Sequence, residues 1–190
     1  MLIVAAALGL ALLIQAFLVK PYRIPSASME PTLAVGERVL VNRVNYRLSD
    51  PSRGDIVVFH PPAGAVSGGQ GECGVTSPKP GQACTRPTEK RADVNFIKRI
   101  VALPGDSIAI RDGHAVVNGK VQKEPFIRPC GPIGECSFPT PFKVPPDHFF
   151  MMGDNRGESD DSRFWGPVPR KWIIGQAFFT YWPIKRIGLL

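Results

Sequence analysis

An apolar run at residues 2–19 opens the chain and constrains its fold more than any other stretch. Only Gln15 interrupts the run, so a helix here has no polar face of the kind that a buried core helix normally shows. At a rise of 1.5 Å per residue the run spans about 27 Å, close to the ~30 Å hydrocarbon thickness of a bilayer. A cleaved signal peptide would have a shorter apolar core after a basic start. The run therefore predicts one transmembrane helix, residues 1–20, that anchors the rest of the chain.

Composition favours short strands joined by turns in the remainder. The chain has 19 glycines and 20 prolines among its 190 residues, well above average usage, which disfavours long unbroken helices. The net charge of +7 is spread along the chain, without a basic helix or an aromatic RNA-binding signature. We therefore predict no nucleic-acid partner, and we expect the cationic surface to face anionic lipid in a bilayer.

Two features disagree about the compartment. Lys20 and Arg23 follow the apolar run and nothing basic precedes it, which by the positive-inside rule favours a cytoplasmic domain. The four cysteines lie in Gly/Pro-rich surroundings without a C-x-x-C pair, which is typical of disulfides in an oxidising compartment and not of a zinc site. We follow the cysteines and predict an extracytoplasmic domain. The pairing that needs least chain reorganisation is Cys73–Cys84 with Cys130–Cys136; the other two connectivities and free thiols remain alternatives.

Local patterns predict a mostly-β domain over residues 21–190. Alternating or continuous apolar residues predict strands at 37–44, 56–59, 95–103, 108–111, 115–117, 148–152 and 173–182. The dipeptides Asp112-Gly113 and Asn118-Gly119 are hairpin signals. Residues 61–93 have no periodicity and are predicted to form a long inserted loop, and residues 125–147 are also predicted to be mainly loop.

The stretch 24–33 places two hydroxyls between two prolines: Pro25, Ser26, Ser28 and Pro31. Proline restricts the backbone around it, so we expect Ala27 and Glu30 not to be helical and the segment to be extended or turning. In an extended chain residues i and i+2 face the same side, which would direct Ser26 and Ser28 into one site. The alternative is a polar junction between a membrane segment and a domain.

A serine nucleophile needs a base, and the three histidines, His60, His114 and His148, have no suggestive partners in the sequence. Lys98 is the stronger candidate because it interrupts an apolar strand-like segment and shares a face with Phe96 and Ile100. Burial can lower the pKa of a lysine to about 7–8 and so make it a usable base. The alternative is an edge-strand lysine whose amine reaches solvent.

Four motifs in order resemble those of bacterial type I signal peptidases, over residues 1 to about 183. They are P-S-A-S-M-E-P-T-L at 25–33, R-G-D-I-V-V-F at 53–59, F-I-K-R at 96–99 with L-P-G-D at 103–106, and G-D-N-R at 153–156 followed by Ser159, Asp161, Ser162 and Arg163. The resemblance implies a Ser–Lys dyad, with Ser28 as nucleophile and Lys98 as general base. It also implies an oxyanion hole made by the N–H of Ser28 and the hydroxyl of Ser26.

The resemblance assigns further roles. Ser159 would orient the lysine amine, Asp161 and Arg163 would form a supporting ion pair, and Gly153 would leave room beside the lysine. The implied substrate pockets admit small side chains, as in an Ala-x-Ala site, and are formed by Tyr22, Ile24, Met29, Leu33, Phe96 and Ile97. The implied fold is a twisted antiparallel β catalytic domain with a smaller β-rich cap at about 107–147. The family's disulfide spacing also supports Cys130–Cys136.

The expected function is cleavage of signal peptides from secretory preproteins at the outer face of the plasma (inner) membrane, by a single-pass protein that uses no cofactor or metal. Two departures from the family pattern are visible. Phe96 and Asn95 stand where Tyr or Asp is common, and the insertion at 61–93 matches no motif. The rivals are a self-cleaving repressor or mutagenesis protein with similar Ser–Lys chemistry, and a membrane-tethered binding module without activity.

Overall fold

The structure, a computed structural model, describes residues 3–4, 18–66, 73–74, 79–130 and 136–190. Within these ranges no helix has both the length and the apolar character needed to cross a bilayer. Most of the predicted anchor, residues 1–20, lies outside the described residues. Its last two residues, Val19 and Lys20, are not helical but begin the first β-strand, because they pair with Asn42 and Val41.

Antiparallel strands dominate the described chain, as predicted. They are β1 (Val19–Arg23), β2 (Arg38–Asn42), β3 (Ile56–Phe59), β4 (Phe96–Ala102), β5 (Ser107–Arg111), β6 (His114–Val117), β7 (Lys120–Val121), β8 (Phe138–Lys143), β9 (His148–Met152), β10 (Val168–Pro169), β11 (Ile173–Trp182) and β12 (Gly188–Leu189). The described helices are short: α1 (Asn45–Leu48), α2 (Ser162–Trp165) and 3-10 turns at Ala27–Met29, Ala63–Val66, Arg170–Trp172 and Ile184–Arg186.

The main sheet has the strand order β1-β2-β11-β3-β4-β9-β10, with β12 also pairing with β11. Strand β4 therefore lies inside the sheet, between β3 and β9, and Lys98 stands opposite Val57 of β3. All four residues of β3 are buried, as its continuous apolar sequence predicts. The central position of β4 overturns the alternative in which Lys98 belongs to an edge strand.

Strand β1 forms the outer edge of the main sheet and was not predicted. It pairs on one side with β2, from Val19 opposite Asn42 to Arg23 opposite Arg38. Pro21 lacks an N–H, and an edge strand tolerates this because only one of its sides needs a complete ladder. The strand leads directly to the serine stretch and so fixes where that stretch begins.

The second sheet has the order β7-β6-β5-β8, and its first and last strands in the chain begin at Ser107 and end at Lys143, close to the bounds of the predicted cap. Both predicted hairpin turns are confirmed, since Asp112 and Gly113 have φ of 48° and 81°, and Asn118 and Gly119 have φ of 52° and 77°. Positive φ at both central residues is the type I′ geometry that suits a two-residue hairpin. One apolar cluster joins this sheet to the main one: Val101, Ala102, Ile108, Ile110, Ala115, Val117, Phe150 and Met152 are among its members.

The prediction of mainly loop at 125–147 is wrong for β8. Its sequence, F-P-T-P-F-K, has proline at alternate positions, yet it pairs with β5 at the edge of the second sheet. Prolines are accepted there for the same reason as in β1. The described part of 61–93 has only one 3-10 turn and isolated bridges, and both predicted cysteine pairs, Cys73–Cys84 and Cys130–Cys136, are disulfide-bonded.

Gly175 provides a test of the main sheet, because a Cβ at this position of β11 would overlap the carbonyl oxygen of Asn42 in the neighbouring strand. Gly175→Ala should lower the free energy of unfolding by about 1–3 kcal/mol, since the two strands must separate locally. Gly188→Ala is the matched control, because no atom lies within 4 Å of a Cβ there. Chemical denaturation that gives both variants the same stability would contradict this packing.

Candidate active site

The serine stretch turns more tightly than predicted. Ser26 is extended, with φ −139° and ψ 162°, but Ala27–Met29 form one turn of 3-10 helix, and Glu30 is extended again. The expectation that Ala27 is not helical is therefore wrong. Proline restricts mainly the residue directly before it, which here means Ile24 and Glu30, and this leaves Ala27–Met29 free to turn.

The turn brings Ser28 into direct contact with Lys98. The Nζ of Lys98 donates a hydrogen bond of 2.7 Å to the Oγ of Ser28, although the two residues are 70 positions apart in the chain. Both side chains are buried, with relative exposures of 6% for Ser28 and 4% for Lys98. The Oγ of Ser26 lies 3.3 Å from that of Ser28, so the two serines share one site as predicted, although through a turn.

Burial lowers the pKa of the Lys98 ammonium to about 8, although the carboxylates of Asp161 and Asp160 act in the opposite direction. The guanidinium of Arg163 lowers the pKa further. With a pKa of about 8, roughly one Lys98 in ten is neutral at pH 7, against about one in 2,500 for a lysine in water. The amine can therefore accept a proton at physiological pH.

Asp161 and Arg163 form a buried ion pair beside the lysine. The Nε of Arg163 lies 2.8 Å from one carboxylate oxygen of Asp161, and the other oxygen accepts a 3.0 Å hydrogen bond from the N–H of Gly153. Burial alone would raise the pKa of Asp161, but the guanidinium and the hydrogen bonds outweigh it and hold the pKa below its usual value. Asp161 also caps α2.

Gly153 and Ser159 pack against the nucleophile. A Cβ on Gly153 would overlap both the Oγ of Ser159 and the carbonyl oxygen of Ser28, so only glycine allows this approach. The Oγ of Ser159 is buried but makes no hydrogen bond within the described residues. The predicted hydrogen bond from Ser159 to the lysine amine is therefore not formed in this structure, although the residue lies at the site.

A cleft of about 360 Å³ opens over the two serines and the lysine. Its walls are Pro25, Ser26, Ser28, Asn95, Phe96, Ile97, Lys98, Glu158 and Asp160. Phe96 and Ile97 are thus the predicted substrate residues that line it. The other four predicted substrate residues belong to an apolar cluster with Val39 and Val41. Of these four, Ile24, Met29 and Leu33 are buried, and Tyr22 is partly buried.

A clamp that sequence reasoning missed holds the serine turn from the far side. The N–H of Asn155 donates to the carbonyl of Ser28 at 3.1 Å, and its side chain donates to the carbonyl of Ala27 at 3.2 Å. Next to it, Asp154 accepts hydrogen bonds from Thr32 at 2.5 Å and from both Nε and Nη2 of Arg99, at 2.8 and 2.7 Å. Two segments far apart in the chain are thereby held together around Ser28.

The histidines lie elsewhere in the described chain. His60 and His148 bond through Nδ1 to the carbonyls of Val94 and Pro146, and His114 lies 3.5 Å from a carboxylate oxygen of Glu124. Lys98 is therefore the titratable base that contacts Ser28. A hydroxyl paired with a neutral amine is an arrangement for nucleophilic attack on a carbonyl.

Comparison with known proteins agrees with this chemistry. A family model described as "Signal peptidase, peptidase S26" matches residues 1–182. The chain belongs to this signal peptidase family. The resemblance found in the sequence is confirmed, and the protein is a peptidase.

Named relatives are similar over most of their length. The chain is 39% identical over 181 residues to "Probable signal peptidase I-2" of Synechocystis sp., covering 95% of this chain and 71% of the relative. It is 38% identical to a signal peptidase I of Leptolyngbya laminosa, covering 95% and 77%. A crystal structure of a signal peptidase I from Enterococcus faecalis V583 aligns with a TM-score of 0.40 and 22% identity, over 67% of this chain and 97% of that one. The family assignment rests on the sequence matches.

The sequence motifs include the residues of the clamp, although they do not show its contacts. Asp154 and Asn155 lie in the G-D-N-R motif, Arg99 in F-I-K-R and Thr32 in the serine stretch, so all four clamp residues stand in stretches that resemble the signal peptidase family. Their partners could not be read from the sequence, because the contacts join β4 to a loop more than fifty residues away.

Asp154→Asn tests whether the clamp stabilises the site. The carboxylate is fully buried against Arg99, so loss of its charge should lower the free energy of unfolding by roughly 3 kcal/mol and reduce kcat as the serine turn loosens. Asp50→Asn is the control, because Asp50 pairs with Arg170 but is 85% exposed, and its loss should change little. Equal stability and equal kcat of the two variants would contradict a stabilising role for the Asp154 contacts.

Proposed function

We propose that this signal peptidase removes signal peptides from exported preproteins by Ser28–Lys98 dyad catalysis, through an acyl-enzyme. The observation that carries the proposal is the 2.7 Å contact between Nζ of Lys98 and Oγ of Ser28 in a buried site. The pKa of about 8 for Lys98 supports it, since a neutral amine is required.

In the first step the neutral amine of Lys98 takes the proton of Ser28, and the Oγ attacks the scissile carbonyl carbon. The carbonyl π electrons move to oxygen and give a tetrahedral intermediate. The lysine ammonium then returns the proton to the leaving amine, and the C–N bond breaks. What remains is an ester between the signal peptide and Ser28.

In the second step a water molecule hydrolyses this ester. Lys98, again neutral, takes a proton from the water as the oxygen attacks, and the Oγ of Ser28 leaves with a proton from the lysine. The enzyme returns to its starting state without net gain or loss of charge. No metal or cofactor takes part in this scheme.

The oxyanion would be held by the N–H of Ser28 and the hydroxyl of Ser26. The 3.3 Å separation of the two serine Oγ atoms supports this, because a donor for the oxyanion must lie close to the attacking oxygen. Ser159, with a buried hydroxyl that has no hydrogen-bond partner in the described chain, would bind the lysine amine once substrate displaces its bond to Ser28.

The cleft fits a peptide with small side chains before the cut. Apolar walls at Phe96 and Ile97 leave about 360 Å³ above the dyad. The buried Ile24, Met29 and Leu33, with Tyr22, would support the floor of the pockets from below. We therefore expect cleavage after small-x-small sequences.

The site would work at the membrane surface. The apolar segment that precedes β1 would cross the plasma membrane once, with residues 21–190 as the extracytoplasmic catalytic domain and 107–147 as its cap. At ~3.3 Å per residue, the nine residues from Val19, where β1 begins, to Ser28 place the nucleophile within about 30 Å of the end of that segment. A translocated preprotein presents its cleavage site at that depth. The two disulfides favour an oxidising, extracytoplasmic side.

Incubation with a purified preprotein tests the proposal. Wild-type chain should release a mature protein cut after a small-x-small site, and Ser28→Ala should release none. Cleavage of the chain itself with the preprotein left intact would favour the rival self-cleaving reading. Absence of both would favour the rival binding module.

Lys98→Arg tests the neutral amine. The guanidinium keeps its proton at any relevant pH, so this variant should be as inactive as Lys98→Ala. An ion-pair or anchoring role for Lys98 would instead let Arg restore much of the activity. Retention of more than about a tenth of wild-type kcat would end the Ser–Lys mechanism.

The pH profile is a second test. A base must lose its proton to act, so kcat/KM should rise with pH through an apparent pKa of about 8, since burial lowers the pKa of Lys98 to that value. A rise centred near the ordinary histidine value of about 6.5 would point to a different base.

Ser26→Ala tests the oxyanion hole. Loss of one donor should lower kcat by about 10²–10³ with little change in KM, because the oxyanion exists only after attack. Ser49→Ala is a control, as Ser49 is an exposed hydroxyl distant in sequence from the site. A Ser26→Ala kcat within threefold of wild type would exclude Ser26 from this role.

A further inference from the structure

A second cavity, of about 270 Å³, shares no lining residue with the active-site cleft. It lies where β2 and β3 end and β11 begins. Five cationic side chains and one histidine line it: Arg43, Arg47, Arg91, Arg170, Lys171 and His60. They come from five separate segments, and no Asp or Glu is among the lining residues.

Most of this positive charge is not neutralised within the described chain. Arg170 pairs with Asp50, which is itself 85% exposed. Arg47, Arg91 and Lys171 form no ion pair with any carboxylate that the structure describes, although seven pairs exist elsewhere in the described chain. Like charges gathered in one cavity repel each other, which destabilises the fold unless an anion binds there.

The cavity also has donors that are already positioned. The Nη2 of Arg170 donates to the carbonyls of Tyr46 at 3.0 Å and Ser49 at 3.2 Å, which holds the guanidinium against the cavity wall. The Nδ1 of His60 lies 3.0 Å from the carbonyl of Val94 and must donate to it, which leaves Nε2 for a ligand. Planar guanidinium groups match the oxygens of phosphate with paired hydrogen bonds.

We propose that this cavity binds a phosphate ester. A cavity of about 270 Å³ holds one phosphate group, whereas a nucleic acid would need a continuous basic groove along several phosphates. Two sources of the same chemistry fit, namely the headgroup of an anionic phospholipid and a soluble phosphate ester.

The position of the cavity connects it to the apolar segment. The N–H of Arg43 donates to the carbonyl of Leu18 at 2.9 Å, so one cavity wall adjoins the end of residues 2–19. The lipid source rests on the proposed function, in which that segment spans the membrane and its end lies among headgroups. On the other side, Val94 precedes Asn95 of the cleft, so a lipid bound at His60 lies next to the strand that holds Lys98.

Lipid binding by the full chain tests the site. The triple variant Arg47→Gln/Arg91→Gln/Lys171→Gln removes three exposed charges that have no described ion-pair partner. The matched control, Arg111→Gln/Lys120→Gln/Lys123→Gln, removes three exposed charges from the second sheet. Both variants carry Ser28→Ala, so that binding is measured without turnover. Each is titrated in neutral detergent with phosphatidylglycerol, with diacylglycerol, which lacks the phosphate, and with soluble glycerol phosphate.

Phosphatidylglycerol should bind in preference to diacylglycerol, and its Kd should rise at least about tenfold in the cavity variant but less than twofold in the control. If glycerol phosphate displaces phosphatidylglycerol from the wild-type cavity but does not bind the cavity variant, the site is assigned to soluble phosphate esters. If glycerol phosphate does not compete with phosphatidylglycerol, the site is assigned to lipid. Equal binding of both probes by the cavity and control variants would overturn the proposal. If the triple variant fails to fold, Arg91→Gln and Lys171→Gln alone should each raise the Kd about threefold.

Preprotein cleavage by the same cavity variant, with Ser28 restored and in neutral detergent, separates this site from the proposed function. Cleavage should stay within twofold of wild type, because no cavity residue lines the cleft. Lost phosphate binding with normal cleavage is the expected result. If the wild-type chain binds the phosphate probes but cleaves no preprotein, the proposed function is contradicted and the phosphate site is still supported.

Discussion

The amine of Lys98 is almost completely removed from water, with 4% of the residue exposed. Strand β4 lies between β3 and β9, so its backbone cannot move to return the side chain to water. Burying an ammonium without compensation is costly, and the group responds by lowering its pKa, here to about 8. The same burial that weakens the charge leaves part of the amine neutral at pH 7, and the Ser28 turn that covers the amine places a hydroxyl in contact with it.

Each carboxylate near the buried amine raises the pKa of Lys98 and so favours its charged form, and a cation beside the carboxylate reduces this effect. Asp161 is fully buried near Lys98, yet both its oxygens bind Arg163, at 2.8 and 2.9 Å. The guanidinium therefore offsets part, but not all, of the effect of Asp161 on the pKa of Lys98. Buried ion pairs contribute little net stability compared with apolar packing. The presence of this one is better explained by what it does locally: its carboxylate accepts a hydrogen bond from the N–H of Gly153, and its guanidinium weakens the pull of that carboxylate on the lysine charge.

The sequence predicted what depends on short-range patterns. Apolar alternation located the central strands, and Lys98 was selected because it interrupts an apolar strand-like segment. Two features could not be predicted. The 3-10 turn at Ala27–Met29 arises because proline restricts only its own residue and the one before, and β8 is a strand despite its prolines because its sheet edge tolerates missing N–H groups. The contacts of Asp154 with Thr32 and Arg99 could not be predicted either, because the folded sheet brings together residues that are distant in the sequence.

The adjacency of Lys98 and Arg99 couples the position of the lysine amine to that of Ser28. Successive residues of a strand point to opposite faces, so one points its amine at Ser28 while the other binds Asp154. Asp154 and the neighbouring Asn155 in turn hold the serine turn through Thr32 and the Ser28 carbonyl. A shift of β4 therefore moves the amine and the support of the hydroxyl together, and their separation is kept. Catalytic groups need placement within about 0.5 Å, and a closed ring of short contacts supplies this better than two side chains fixed independently.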